Sequence, residues 1–294
     1  MNEDNFRFMA KTWIKKHPKL FTIYKQGIFR ILTKSIRVLP DFLIIGGVKC
    51  GTTSLYDYLI KHPQIYPAKN KEAKFFDFDY ELGLSWYRSN FPSSLSKFLI
   101  TKLFKKRFLT GEATPNYLHH PLCAKRIHDN LPDIKLIIIL RNPVERAYSE
   151  YQMRIRSGHE VIPFEDTIKQ EEEMISKGEN LLENNYYAEY GAKFRPYLSR
   201  GFYQLQISKW LNLFPRKNFL FLKTEDLDKN PQQILDEVFK FLGLPEFILK
   251  NLDKKNVGRY PKLEEKTREH LFNYYKPYNE NLIKLLGEHF RWDY

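Results

Sequence analysis

The stretch that most constrains the fold of this chain runs from Asp41 to Leu55 and reads DFLIIGGVKCGTTSL. It begins with an apolar run from Phe42 to Ile45 that has no polar alternation, which is typical of a strand buried on both faces of a parallel sheet. Glycines follow, and a helix is predicted from Thr52 to Leu59. Glycines allow backbone N–H groups to converge on an anion, and the N-terminus of a helix attracts negative charge. The stretch therefore predicts a strand, a phosphate-binding loop and a helix.

This loop departs from the nucleoside-triphosphate loop G-x-x-x-x-G-K-[ST], in which a lysine directly follows the second glycine. Gly46 and Gly51 keep the spacing, but Thr52 occupies the lysine position, and Lys49 is the only lysine in the loop. A lysine at this place would reach different phosphate oxygens. Taken alone, the loop leaves open an incidental strand–turn–helix, so other motifs have to decide between the two interpretations.

The loop resembles that of the sulfotransferases that use 3′-phosphoadenosine 5′-phosphosulfate (PAPS), because Lys49, Gly51, Thr52 and Thr53 match their K-x-G-T-T pattern. In that family the loop follows a strand and holds the 5′-phosphosulfate. The resemblance implies that the donor binds at Lys49, Cys50, Gly51, Thr52 and Thr53. It also implies that Lys49 stabilises the charge that develops on the leaving phosphate.

A second motif follows the strongest strand signal in the chain, Lys135–Leu140. Arg141 comes directly after this strand, at the edge of the sheet where ligands bind in open α/β folds. Ser149 lies about two turns into the next helix and could meet the same anion. The match to the family's 3′-phosphate motif, R-[DN]-P-x-x-R-x-x-S-x-Y, covers Arg141, Pro143, Arg146, Ser149 and Tyr151. The resemblance implies that Arg141 and Ser149 clamp the 3′-phosphate, which distinguishes PAPS from ATP, whereas we expect Arg146 to form a structural ion pair.

One carboxylate, Glu72, lies among three lysines and is followed by Phe75 and Phe76. From the spacing alone, it could be an exposed glutamate paired with Lys69 or Lys74. The stretch resembles the E-x-x-F-F segment of the heparan-modifying sulfotransferases, both N- and O-. The resemblance implies that Glu72 is the general base that deprotonates the acceptor hydroxyl or amine.

Two further segments match that family only in part. Ala113 stands where related enzymes have a lysine that is thought to act at the sulfuryl group, so Lys74 or another nearby lysine would have to compensate. Near the C-terminus, Gly258, Arg259 and Tyr260 resemble a K-G-R-x-[HY]-P loop that closes over PAPS, although a valine replaces its lysine. The resemblance implies that these three residues bind the donor.

Composition limits the partners of the chain without selecting one. The 294 residues carry a net charge of +13, which attracts nucleotides, acidic sugars, nucleic acids or an anionic membrane. Residues 1–40 contain nine Lys or Arg against two acids and read either as a basic segment on a membrane surface or as an arm flanking the domain. Cys50 and Cys123 form neither a disulfide framework nor a metal-ligand pattern, and we expect no metal. Without a membrane-spanning run or a signal peptide, we expect a cytoplasmic protein, with peripheral membrane contact through residues 1–40 left open.

Together the motifs predict a basic N-terminal arm over residues 1–40 and one α/β domain over residues 41–294. The domain is expected to have a P-loop-like central parallel sheet with helices on both faces, as the resemblance implies. Further strands are predicted at Phe108–Thr110 and Phe219–Lys223, and two separate helices at Lys262–Tyr275 and Asn279–Gly287.

The predicted reaction is transfer of a sulfuryl group from PAPS to a hydroxyl or amine of a saccharide or glycolipid acceptor. An alternative is phosphoryl transfer by a P-loop kinase or NTPase, which would need a lysine after Gly51 and a Walker-type aspartate at a strand end, where Arg141 stands. Another alternative is a basic protein that binds nucleic acid or a membrane surface. Only residues 1–40 approach that pattern, and since they carry no base-reading motif, we expect no specific nucleic-acid partner.

Overall fold

Short parallel strands form the sheet at the centre of the structure, a computed structural model that describes residues 30, 32–178, 196–250, 252 and 260–292. The strands in this part of the chain are β1 (Phe42–Ile44), β2 (Gly111–Ala113), β3 (Lys135–Leu140) and β4 (Phe219–Lys223). Their order is β2-β1-β3-β4, and each neighbouring pair is parallel. The chain moves from β1 to one side of the sheet and later returns past it to build the other side. The reversal between β1 and β3 is the switch point at which sheets of this order bind ligands.

Helices connect these strands and pack on the sheet. Those with described bounds are α1 (Thr52–Leu59), α2 (Leu84–Arg88), α3 (Ser94–Phe98), α4 (Cys123–Asn130), α5 (Pro143–Arg156), α6 (Phe164–Ser176), α7 (Tyr203–Leu211), α8 (Thr224–Lys229), α9 (Pro231–Leu242) and α10 (Glu265–Leu286). Within the described ranges, none of the helices combines the length and the apolar character that a membrane span requires.

The two faces of the sheet support two hydrophobic cores, because successive side chains of a strand point in opposite directions. Leu136 and Ile138 of β3 pack in one core with Trp210 of α7. Ile137 and Ile139 pack in the other core, with α1 and α9. The predicted α/β class, a parallel sheet with helices on both faces, is confirmed.

Strand β2 lies a few residues later in the chain than predicted. The expected strand at Phe108–Thr110 contributes only an isolated bridge between Leu109 and Ile65, and the paired segment is Gly111–Ala113. A side chain at Gly111 would meet the carbonyl oxygen of Phe42 at 2.5 Å, so only glycine allows this close approach of β2 to β1. The prediction followed the hydrophobic residues of 108–110 and was wrong, because the segment that pairs with β1 contains a glycine and a buried glutamate, Glu112.

The C-terminal region forms one helix instead of the two that were predicted. Pro277 lies inside α10, where it removes one backbone hydrogen bond and usually ends a helix. Tyr275 before the proline and Leu282 after it are both buried in the core. Burial on both sides of Pro277 explains why the helix continues through it.

The predicted N-terminal arm falls mostly on residues 1–29 and 31, which lie outside the described residues. The remainder of the arm contacts the domain: the Arg37 guanidinium donates to the carbonyl oxygen of Phe91 at 2.7 Å, and Arg37 forms an antiparallel bridge with Ser93. The boundary between residues 40 and 41 stays a prediction.

Candidate active site

The loop after β1 contains two residues with a left-handed backbone conformation. Lys49 adopts a φ of +67° and Gly51 a φ of +82°, and Gly51 is the residue that precedes α1. The left-handed conformation is costly for a lysine, and such strain concentrates at functional sites. Gly46 permits close packing of this loop on β3, since a side chain there would meet the Ile139 nitrogen at 2.5 Å. The loop and the N-terminus of α1 therefore face the switch point between β1 and β3.

Arg141 lies beside this loop, although the two are distant in sequence. Its Nη1 atom is 3.5 Å from the carbonyl oxygen of Lys49, across 92 residues of chain. A second guanidinium nitrogen, Nη2, lies 3.7 Å from Glu145 on the next turn of α5. Both predicted anion-binding segments thus meet at one rim of the sheet.

Positive charge accumulates around the Lys49 ammonium. Burial lowers its pKa, and the charges of Arg156 and Arg141 lower it further, while Glu150 opposes the shift. Neighbouring cations that destabilise one another favour the binding of an anion between them. Arg156 was not singled out in the sequence, because it lies beyond the motif at the end of α5.

Helix α5 separates a ligand-binding candidate from a structural arginine. Ser149 is buried on this helix, and its distance from Arg141 corresponds to about two turns. Arg146 is fully buried and lies 2.7 Å from Glu150, which also pairs with Arg200. The expectation that Arg146 forms a structural ion pair is confirmed.

Lys71 and Glu72 form a polar cluster beside the first turn of α1. The Lys71 ammonium donates to the Thr53 hydroxyl at 2.8 Å and to Glu72 at 3.3 Å. Glu72 also pairs with Lys74 at 3.6 Å, and its side chain is 36% exposed. The Lys71 ammonium therefore links the partly exposed carboxylate of Glu72 to the first turn of α1.

Lys71 is a second residue, besides Arg156, that sequence reasoning missed. Ala113 is buried in β2, and its N–H donates to the carbonyl oxygen of Lys71 at 2.8 Å. This pairing places Lys71 alongside the alanine that replaces the family lysine, and the Lys71 side chain reaches the loop. In the sequence, the one indication of a role for Lys71 was its position directly before Glu72. The tertiary structure shows that Lys71 lies beside Ala113 and that its ammonium reaches Thr53.

A buried polar network holds the segment that carries Glu72. Glu112 accepts hydrogen bonds from the Thr114 hydroxyl at 2.6 Å and from the Tyr87 hydroxyl at 3.2 Å. Burial raises the pKa of Glu112 to about 7. The backbone N–H of Phe75 donates to the Tyr117 hydroxyl at 3.0 Å. Thr114 and Tyr117 thus anchor the segment from inside.

The remaining predicted donor-binding residues differ in where they lie. Cys50 points its thiol into the core, 3.7 Å from the Tyr203 hydroxyl, and its N–H donates to the carbonyl oxygen of Gly47, so the thiol does not face the loop opening. Tyr260 contacts Tyr148 edge-to-face and lies under the Arg156 guanidinium. Gly258 and Arg259 lie outside the described residues. The described residues contain no cluster of His, Cys, Asp and Glu side chains suited to a metal ion.

Comparison with known proteins identifies the family of this chain. The family model described as "Sulfotransferase domain" matches residues 39–273. A membrane-associated sulfotransferase of Dictyostelium discoideum is 28% identical, with 86% of this chain and 66% of the relative covered. The human bifunctional heparan sulfate N-deacetylase/N-sulfotransferase 3 is 32% identical, with 84% of this chain and 30% of the relative covered.

A solved structure shares the fold. The crystal structure of a sulfotransferase from Alicyclobacillus acidocaldarius superposes with a TM-score of 0.63 at 29% identity, covering 85% of this chain and 96% of that one. The chain spans less than two thirds of the length of the two curated relatives described above.

Proposed function

This chain belongs to the sulfotransferase domain family, and we propose that it transfers a sulfuryl group from PAPS to a hydroxyl or amine of a saccharide acceptor. The observation that carries the proposal is the 3.5 Å approach of Arg141 to the carbonyl oxygen of Lys49. PAPS has a 5′-phosphosulfate and a separate 3′-phosphate on one adenosine. Two neighbouring cationic segments on one rim suit a donor with two separate anionic groups. A nucleoside triphosphate has no 3′-phosphate and would leave the Arg141 segment without a ligand group.

Each segment has a distinct task in donor binding. Lys49, Thr52 and Thr53 would bind the 5′-phosphosulfate together with the amides at the N-terminus of α1. Arg141 would hold the 3′-phosphate with its planar fork, and Ser149 would donate a hydroxyl to the same group. Gly258, Arg259 and Tyr260 would complete the donor site, as the resemblance implies.

The chemistry needs a base on one side of the sulfuryl group and positive charge on the other. The Glu72 carboxylate would take the proton of the acceptor hydroxyl or amine as the new bond to sulfur forms. The bond between sulfur and the bridging oxygen breaks, and its electron pair stays on the released 3′-phosphoadenosine 5′-phosphate (PAP). Lys49 would stabilise that developing negative charge.

Lys71 would supply a second positive charge at the reacting group. Its ammonium is held between the Thr53 hydroxyl and Glu72, so it lies between the loop and the base. In that position it can bind the sulfuryl oxygens and keep the Glu72 carboxylate oriented toward the acceptor. Lys71 would thus replace the lysine that related enzymes have at the position of Ala113, and Lys74 would not be needed for this role.

A saccharide acceptor is supported by the relatives, one of which is named as a heparan sulfate enzyme. The net charge of +13 would also favour an acidic polysaccharide over a neutral one. The same chemistry would serve a glycolipid headgroup. Cytoplasmic location and membrane contact through residues 1–40 stay predictions. The kinase alternative is not favoured, because the family match is to sulfotransferases and Thr52 replaces the required lysine.

Two measurements test this proposal separately. Immobilised 3′,5′-ADP should retain the protein, and free PAP should elute it while equimolar ATP or duplex DNA should not. Equal elution by ATP would overturn the donor assignment. Labelled PAPS should then transfer sulfate to desulfated heparin-type polysaccharides; transfer only to glycolipids would refute the polysaccharide acceptor while leaving the donor assignment intact.

A further inference from the structure

An exposed apolar patch lies on the segment between α2 and β2, which contains none of the predicted donor-binding residues. Its members are large hydrophobic side chains that are each 40–71% exposed: Leu95, Phe98, Leu99, Leu103 and Phe104. Isolated exposed hydrophobic residues are ordinary, whereas a contiguous group of this size marks an interaction surface.

The local backbone brings these side chains to one side. Ser93 caps α3 by accepting from the Ser96 N–H, and Leu95, Phe98 and Leu99 then recur at the i, i+3, i+4 spacing of one helical face. A π-helical turn over Leu99–Leu103 follows, in which Phe104 N–H donates to the carbonyl oxygen of Leu99 at 3.2 Å. The wider turn brings Leu103 back toward Leu99, so the apolar face extends along the whole segment.

The chain before β1 adds to this patch. The bridge between Arg37 and Ser93 places the 3₁₀ turn Lys34–Ile36 next to the start of α3. Ile36 and Leu32 are both largely exposed. The patch therefore combines two segments of the chain that are paired through their backbones.

Basic residues border the patch. Lys102, Lys105 and Lys106 are exposed, and none of them forms an ion pair with another residue of the described ranges. By contrast, Lys97 on the inner side is 3.1 Å from Asp41. An apolar face of Leu and Phe bordered by lysines that have no acidic partner among the described residues has the composition of a segment that lies in the interface of an anionic membrane.

The patch and the donor site lie at opposite edges of the sheet. The Lys97–Asp41 contact places α3 near the residue that immediately precedes β1, whereas Lys49 and Arg141 follow the carboxyl ends of β1 and β3. A surface that binds at the patch would leave the donor site open to solvent.

We propose that this patch is a docking surface for an anionic phospholipid membrane, with the apolar side chains inserted among the acyl chains and Lys102, Lys105 and Lys106 at the phosphate groups. The proposal places the membrane contact mainly on residues 95–106 of the folded domain, with Leu32 and Ile36 as the only described contribution from residues 1–40. A polysaccharide does not fit the patch, because its hydroxyl and sulfate groups would be desolvated against five large apolar side chains. A second copy of the chain would bring the three lysines together, with like charges opposed.

Vesicle co-sedimentation of the full chain tests the proposal. Vesicles of phosphatidylcholine with 30% phosphatidylserine should bind the protein, pure phosphatidylcholine should bind it at least about 10-fold less, and added salt should weaken the binding. The double variant Phe98→Ser/Phe104→Ser and the triple variant Lys102→Glu/Lys105→Glu/Lys106→Glu should each reduce binding at least about 10-fold. The control Ile248→Ser changes an exposed hydrophobic residue outside the patch and should bind as the unaltered chain does.

Three outcomes would overturn the proposal. Binding of both patch variants at the unaltered level would exclude the patch, and loss of binding only in Lys15→Glu/Lys16→Glu would assign the contact to residues 1–40. If the unaltered chain were a dimer and Phe98→Ser/Phe104→Ser a monomer, with vesicle binding unchanged, the patch would be a self-association surface. Donor binding by all patch variants, measured with PAP, confirms that they are folded.

Discussion

The guanidinium of Arg141 lies 3.5 Å from the carbonyl oxygen of Lys49, although 92 residues separate them in the chain. The contact exists because β1 and β3 are neighbours in the sheet and both run toward the same edge. Loops that follow adjacent parallel strands start at the same edge of the sheet, and at a switch point they leave a crevice in which ligands bind. Two motifs that are far apart in the sequence therefore meet at one rim of the sheet.

Replacing Arg141 by alanine should weaken the binding of PAP but not of 5′-AMP. Loss of one charged hydrogen-bonding group costs about 1.5–3 kcal/mol, or a roughly 10- to 150-fold rise in Kd. Isothermal titration calorimetry of both ligands measures this, and 5′-AMP serves as the control because it lacks the 3′-phosphate. An equal loss for both ligands would show that Arg141 supports the loop and does not bind the 3′-phosphate.

Glu72→Gln should abolish turnover and leave PAP binding nearly unchanged. The amide cannot accept the acceptor proton, and a general base contributes about 100- to 10,000-fold to the rate. The turnover number with labelled PAPS and the Kd for PAP provide the two readouts. The control is Glu81→Gln. Glu81 also precedes β2 in the chain and is exposed, so this variant should keep full activity. A Glu72→Gln enzyme with unchanged kcat would remove the assigned role.

Lys71→Ala should lower kcat by about 100- to 1000-fold, the scale of one electrostatic group at a reacting centre. Lys71→Arg should recover part of the loss because the positive charge is kept. Lys69→Ala serves as the control, since this lysine is exposed on the same segment. If Lys74→Ala caused the larger loss instead, the compensating charge would have to be assigned to Lys74.

Glu112→Gln should change how stability depends on pH. The folded-state pKa of Glu112 is raised from 4.5 to about 7 by burial, so the folded protein holds a proton that the unfolded chain releases in that range. The contribution of Glu112 is therefore complete below about pH 4.5 and falls as the pH rises, by about 3 kcal/mol once the pH exceeds 7.

Chemical unfolding at pH 5 and pH 8 measures this difference. The unaltered chain should lose stability between the two values relative to Glu112→Gln, because the amide has no charge to acquire in the core. The Tyr87 hydroxyl can accept from the new amide group, so the hydrogen bonds can be kept. Parallel pH profiles for the two proteins would contradict the assignment of the shift to Glu112.

Some elements could be predicted from local pattern because their burial matches their sequence. β3 and β4 were predicted with the bounds that the structure has, since an uninterrupted apolar run leaves few alternatives. β2 was misplaced, because its glycine and buried glutamate are stabilised by pairing with β1 and by hydrogen bonds from the hydroxyls of Thr114 and Tyr87 and the N–H of Ala73, which no local pattern indicates. The break at Pro277 was wrong for the same reason: packing of Tyr275 and Leu282 outweighs one missing hydrogen bond.

The sequence by itself indicated the α/β class, the two predicted anion-binding segments and the family, because strand–turn–helix signals and motif spacing are local properties of the chain. Only the tertiary structure decided that Lys49 and Arg141 share one rim, that Lys71 reaches Thr53 and that the Cys50 thiol points into the core. These relations depend on which strands are neighbours and how closely they approach. Strand pairing joins residues that are far apart in the chain, and no local pattern of residues records it.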